Sequence, residues 1–358
     1  MTTLKKLAAA ACILVASIEG YAAPSDSIQN NADEEKLLAF NVEARLDGQY
    51  VQYNGDMDHS QTGFMGKYIA LKAQGTIADG LSYTWRQRFS RTPKDNTFWD
   101  QTDILALTYQ KGKFDVGAGK QVVLIGGYEY DRAPINLMCP NLFVTNVACY
   151  QFGVSAGVQL SSHDHLAFQV SQSIFATAAD RDLFAYNLYW NSSRNLGDYV
   201  KFETIWSVNE IEYLKGKFCN YVALGNKLVM DDKFTILIDL MTRTYPDNRA
   251  FKNNTFMFEA AWDFHPKWRL TGKVSYDCNL GVNKTPQTEV ARGTELTIAG
   301  GVLEWYPIKK KRHLLKAHAA GFYSFGKNAS SADLMQKNTL YASLGLTWQM
   351  NLLNINRK

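Results

Sequence analysis

Residues 151–160 read QFGVSAGVQL, with Phe152, Val154, Ala156, Val158 and Leu160 alternating with Gln151, Gly153, Ser155, Gly157 and Gln159. A β-strand turns successive side chains to opposite faces, so this stretch has one apolar and one polar face. The pattern recurs to the end of the chain. FNVEARL (40–46) sets Phe40, Val42, Ala44 and Leu46 against Asn41, Glu43 and Arg45. LSYTWRQRF (81–89), WRLTGKVSYD (268–277) and TLYASLGLTWQ (339–349) alternate in the same way. Period two dominates, and no long stretch has the 3.6-residue period of an amphipathic helix.

About sixteen such segments can be placed, each near the ~9–11 residues that a tilted strand needs to cross a bilayer. They run over 36–53, 62–77, 81–91, 102–110, 113–124, 150–161, 165–175 and 183–191. The second half gives 198–209, 218–230, 233–243, 255–264, 268–278, 294–306, 314–325 and 339–350. Connections alternate in length. TIADG, QKGK, SSHDH, MDDK and HPK are short, whereas NGDMDHSQ, TPKDNTFWD, PDNRAFKNN, NLGVNKTPQTEVA and GKNASSADLMQK are long. The connection before 183 is a short exception. Short turns at one end and long loops at the other are the outer-membrane barrel layout, with the short turns in the periplasm. The predicted fold is all-β, a transmembrane antiparallel barrel of about sixteen strands. Its apolar faces meet lipid and its polar faces a watery lumen. Mid-strand charges such as Arg86, Arg88, Arg269 and Lys273 fit that lumen and would be rejected unpaired by a sandwich core. Trp262, Phe264 and Trp268 flank the HPK turn as an interfacial girdle would.

The start of the chain agrees. Lys5 and Lys6 precede an apolar run, Leu7–Ile18, and then small residues, the layout of a secretory signal peptide over 1–22 with a cut before Ala23. A short periplasmic segment, 23–35, then leads into a barrel over 36–358. Composition fits a large aromatic-rich β-protein, with 19 Tyr, 19 Phe, 8 Trp and a mean hydropathy of −0.25. The net charge of +4 is too small to argue for a nucleic-acid partner.

The longest connection, GGYEYDRAPINLMCPNLFVTNVAC (126–149), follows the fifth strand. It is too apolar for a solvated loop, and loops of this length are usually functional. The expectation is that Tyr128–Cys149 folds into the lumen and sets its narrowest point. Asp131 and Arg132 would then face passing ions or pair with Arg86 and Arg88. Cys139 and Cys149 share this loop in an oxidising compartment and form a disulfide candidate; Cys219 and Cys278 lie on non-adjacent strands and are left unpaired.

IALKAQGTIADGLSYTWRQRF (69–89), DILALTYQKGKFDVGAGKQ (103–121) and the GGYEYDRAP opening of the long loop resemble the phosphate-selective porins O and P, a family of Gram-negative outer-membrane porins. The resemblance covers about the first half of the mature chain. It implies a sixteen-stranded barrel, usually trimeric, whose third extracellular loop folds inward, and a phosphate-like anion preference. The chain departs from the family in charge. Where the family carries an adjacent Arg pair, it has Lys67-Tyr68. Its inferred lumen cations, Arg45, Lys72, Arg86, Arg88, Arg243, Arg269 and Lys273, are countered by Glu43, Asp47, Asp239, Glu259, Asp263 and Asp277. An anion filter needs one sign of charge converging on a narrow point. The C-terminus, LNINRK, also lacks the aromatic last residue of many barrels.

Other motifs add little. SSHDH (161–165) reads as a turn rather than a metal site. FDVGAGKQ is a strand, not a phosphate loop, having no Ser/Thr after the Lys. KKKR (309–312) is a basic turn. No catalytic set, cofactor site or metal site emerges. The expected function is an outer-membrane diffusion channel for small solutes and ions, with lipid and a homotrimer as partners. A non-conducting structural or adhesive barrel and a barrel enzyme are the alternatives.

Overall fold

The computed structural model describes residues 36–90, 98–177, 179–246, 251–281 and 289–356. The expected leader and the segment 23–35 lie outside the described residues. Nearly every described residue outside the loops joins one antiparallel sheet. Its strands are β1 (Lys36–Tyr53), β2 (Asp56–Met57), β3 (Gly63–Ala78), β4 (Leu81–Arg88), β5 (Thr102–Lys111), β6 (Phe114–Val122), β7 (Tyr150–Gln159), β8 (Asp164–Gln172) and β9 (Phe184–Asn195). They continue as β10 (Val200–Leu214), β11 (Lys217–Met230), β12 (Phe234–Thr244), β13 (Asn253–His265), β14 (Trp268–Asn279), β15 (Glu295–Trp305), β16 (Leu315–Lys327) and β17 (Thr339–Asn356). β2 is a two-residue flap on the end of β1, which leaves sixteen spanning strands. β1 pairs with β17 from Lys36↔Asn356 to Tyr53↔Thr339, so the sheet closes on itself. Closure removes every sheet edge from the bilayer, which has no water to satisfy one.

The strands follow the alternation closely. In β7, Phe152 and Val154 are 39% and 57% exposed on the outer face, while Ser155 points inward and its hydroxyl donates to Gln121 Oε1 at 3.2 Å. Leu105 and Leu107 in β5, Val208 in β10 and Leu344 in β17 continue the outer apolar band. Trp268 and Trp305 sit 6.3 Å apart at the end carrying the short turns. The start of β1 and the end of β17, Lys36 and Asn356, lie at that same end.

The structure corrects the expected loops in three places. The connection between β8 and β9 spans 173–183 and is not short. The short connection on the long-loop side is Lys215-Gly216, because β10 and β11 run on as a hairpin beyond the segments read from the sequence. On the other side the turn 306–314 is long. Arg312 holds it in place by donating to Pro266 O at 2.8 Å and lying 4.7 Å from the centre of the Tyr306 ring. β17 also outruns its expected end at 350, so most of LNINRK is strand paired to the start of β1.

Neighbouring residues on opposite faces test the orientation. Leu107 faces outward near the middle of β5, and Thr108 faces the lumen. Leu107→Lys should lower stability in a lipid bilayer by about 2–4 kcal/mol, and Thr108→Lys by much less. Urea titration of vesicle-inserted protein, read by heat-modifiable mobility, measures both. Equal losses would contradict the assigned faces.

Candidate channel constriction

The segment 123–149 leaves β6, crosses the barrel interior and returns to β7, its base closed where Val123 N–H donates to Cys149 O at 2.9 Å. Gly126 and Gly127 let it press against the wall. A Cβ on Gly126 would come within 2.7 Å of Ile205 O, and Gly127 has φ +110°, in the region that favours glycine. The segment then forms helical turns, α2 (Tyr128–Asp131) and α3 (Leu142–Asn146), with a 3₁₀ turn at Pro134–Asn136 between them. A further short helix, α1 (Phe98–Gln101), precedes β5.

Helical turns this short leave most of their amides without partners. Carboxylates of the barrel wall supply partners. Asp239 accepts from Tyr128 N–H and Glu129 N–H, both at 2.8 Å. Asp277 accepts from Leu142 N–H at 2.8 Å and from the Thr255 hydroxyl at 2.7 Å. Asn141 caps α3 by accepting from Val144 N–H at 2.8 Å, and its amide donates to Glu129 Oε2 at 2.6 Å. A carboxylate at a helical N-terminus also meets the positive end of the peptide dipoles. Further tethers come from Ser207 to Gly126 N–H, from Gln169 to Leu124 N–H, and from Arg45, which donates to Leu137 O at 2.6 Å.

The apolar side chains of the loop are covered. Ile135 is fully buried against Tyr68 and Ala70. Phe143 packs 6.1 Å from both Tyr130 and Tyr221, with the Arg243 guanidinium 5.1 Å from its ring centre. Leu142, Met138 and Val147 join a buried cluster that reaches Ile174 and Phe175 in the loop after β8 and Met335 in the loop after β16. Apolar area removed from water contributes about 25 cal/mol per Å². Glu289, in the loop after β14, accepts from the Tyr221 hydroxyl at 2.8 Å. Burial pushes its carboxyl up, against the pull of Arg243.

For Arg132, the expected place beside Arg86 and Arg88 is corrected. Arg132 crosses to β13 and grips Glu259 with two bonds, of 3.0 and 2.8 Å. Arg86 and Arg88 both reach Asp103, at 3.2 and 2.6 Å, and Arg86 also donates to the Tyr150 hydroxyl at 2.7 Å. Asp103 sits on the adjoining strand, so the two guanidiniums share one carboxylate within their own wall. Tyr128, Asp131 and Arg132 line a cavity of about 830 Å³ on the short-turn side of the loop. Lys72 lies buried on the inner wall opposite Arg86. Arg45 donates to both Asp47 oxygens from Nε, at 2.9 and 3.1 Å. Arg269 pairs with Asp263 at 3.2 Å, and Lys273 binds Glu129 and also Cys139 O at 2.8 Å.

The disulfide candidate is corrected too. No disulfide joins Cys139, Cys149, Cys219 or Cys278. Separate anchors fix the two loop cysteines: Lys273 holds the Cys139 carbonyl, and the Cys149 carbonyl closes the loop base. Burial pushes the Cys139 thiol up to about 12. In 161–165, His165 turns inward to Asp115 at 2.7 Å, Asp164 pairs with Arg194 and His163 contacts Ser193 O. A Cβ on Gly157 would sit 2.5 Å from both His165 Nε2 and Asp115 Oδ1, so glycine makes room for that pair. Among the described residues no group of three or more His, Cys, Asp or Glu could hold a metal ion.

Sequence reasoning missed Glu129, Asp103, Glu289 and Asn141. The only available signal for Asp103 was its place at the start of the strand beside the two arginines.

A closed sixteen-stranded barrel with an inward-folded loop over a charged cavity defines the porin class. Residues 40–211 match the family model of the phosphate-selective porins O and P. The fold is similar to that of the anion-selective porin from Comamonas acidovorans, with a TM-score of 0.60 at 10% identity over 88% of this chain and 100% of that one. It is likewise similar to the outer membrane channel DcaP of Acinetobacter baumannii (TM-score 0.58, 12% identity, 87% of this chain and 97% of that chain). OmpT of Vibrio cholerae in a trimer form gives a TM-score of 0.57 at 10% identity, over 88% of this chain and 100% of that one. No curated protein matches the chain by sequence. The family match and these likenesses support an outer-membrane channel and point to a channel rather than an enzyme.

The thiol assignment predicts that denaturation without reductant, followed by iodoacetamide, adds four carbamidomethyl groups to the mature chain. Two adducts only, with two more appearing after reduction, would restore the disulfide.

Proposed function

We propose that the protein is a passive diffusion channel for small polar solutes and ions, with the segment 128–149 as its constriction. The observation that carries this reading is the loop itself, tied to the inner wall by Asp239, Glu259 and Asp277 above a charged cavity. Arg45, Lys72, Arg86, Arg88, Arg269 and Lys273 belong to the charged lining around it. A phosphate-like anion filter is not part of the proposal, because Arg45, Arg86, Arg88, Arg132, Arg269 and Lys273 each have a carboxylate within ion-pair distance. The signal peptide over 1–22, its cleavage, the periplasmic segment 23–35 and placement in a Gram-negative outer membrane complete the reading. So does a homotrimer, supported by the trimer form of OmpT.

Planar-bilayer recording tests the channel. Purified, heat-modifiable protein should give discrete current steps, and deleting 134–146 should raise single-channel conductance. Folded protein that carries no current ends the proposal. Unchanged conductance after the deletion, with the barrel intact, removes the loop from the constriction.

Replacing Arg86, Arg88 and Arg132 together with Gln leaves Asp103 and Glu259 without those partners. The reversal potential in a salt gradient should then move towards cations, since fixed negative charge at a narrow point concentrates them.

A further inference from the structure

A second cavity, of about 360 Å³, lies between the loop and the inner faces of β13 to β17. It shares Arg132, Asn136, Glu259 and Arg269 with the larger cavity, so the two adjoin. Its charges are ordered by strand. β13 contributes Glu259, β14 contributes Arg269 and Lys273, β15 contributes Glu304 and β16 contributes Lys316, while Arg132 of the loop and Arg312 of the 306–314 turn add two further cations. The register places Glu259 opposite Lys273 and Arg269 opposite Glu304. The wall therefore reads acid, base, acid, base across four strands. Ion pairs follow the same order: Arg269–Asp263 at 3.2 Å, Arg312–Asp263, and Lys316–Glu304 at 2.6 Å, with Tyr306 also donating to Glu304 at 2.8 Å. Met138, Val302 and Phe322 give the same cavity an apolar side.

We propose that this cavity is a subsite for small zwitterionic solutes, molecules carrying both an ammonium and a carboxylate on a short apolar body, such as amino acids. The inference rests on the channel reading above. Arg132, Arg269, Lys273, Arg312 and Lys316 each already hold a carboxylate, so an ion of one sign has to displace a partner and strand its charge for the water it sheds. A zwitterion can set its carboxylate against Arg269 or Lys316 and its ammonium against Glu304. It thereby exchanges one ion pair for two without leaving a charge bare. The Lys316 and Glu304 side chains are only 11% and 12% exposed, so the two pairs that a zwitterion forms have to replace the one it breaks. The apolar side receives the body of the solute.

Proteoliposome swelling compares three solutes of similar size: leucine as the zwitterion, 4-methylpentanoate as the anion and leucinamide as the cation. Leucine should enter roughly fivefold faster than either, the net scale of about one additional hydrogen bond. Glu304→Gln with Lys316→Met removes one acid–base step without changing net charge, and should bring the three rates together. Sucrose exclusion and heat-modifiable mobility establish that the variant barrel is sealed and folded. A purely structural role for the pair would leave the ratio of rates unchanged in the variant, which overturns the proposal. Swelling fastest with 4-methylpentanoate in the unaltered protein also overturns it and restores a single-sign filter, while the channel reading survives. Absence of swelling with every solute, together with absence of current, removes the channel reading and this subsite with it.

Discussion

A backbone amide or carbonyl facing hydrocarbon without a partner costs several kcal/mol. The rest of the structure depends on that constraint. It requires the pairing of β1 with β17 along their full lengths, and so it requires a barrel. Once the sheet is closed, period-two alternation has a single meaning: one face of each strand meets lipid and the other an enclosed space. Leu105, Leu107 and Leu344 take the first, and Arg45, Arg86, Asp239 and Asp277 the second.

The inward loop then covers many of the charges on the enclosed face. An unpaired charge there is costly, and the structure answers with partners for the main lumen cations. Asp47, Asp103, Glu259 and Asp263 each take an arginine. Asp239 and Asp277 take backbone amides instead, and so hold the short helical turns of the inward loop. Carboxylates of the wall therefore serve two needs: some balance the lumen cations, and others fix the loop at its depth. The apolar cluster around Phe143 and Ile135 seats the loop, and the carboxylates set its position.

Paired charges give a channel of a different kind from one lined by a ladder of a single sign. The field is strong at the scale of one side chain and nearly cancels at the scale of the lumen. The acid–base order across β13 to β16 follows from antiparallel register: residues such as Arg269 and Glu304 face each other because their strands pair.

Alternation alone determined the strands, their number and their lipid face, because a period of two is a property of the chain itself. QFGVSAGVQL became β7 with Phe152 and Val154 outward, and 126–149 stood out as a loop too apolar for water. Sequence also marked the charged lumen residues. It did not determine their partners. Arg132 was expected beside Arg86 and Arg88 and instead binds Glu259, more than a hundred positions away, because the fold of the loop decides which wall it reaches. Cys139 and Cys149 are close in sequence but fixed by separate anchors, so proximity along the chain did not bring a disulfide. Pairings across the lumen depend on where the closed wall places each strand, and the order of residues along the chain carries no record of that.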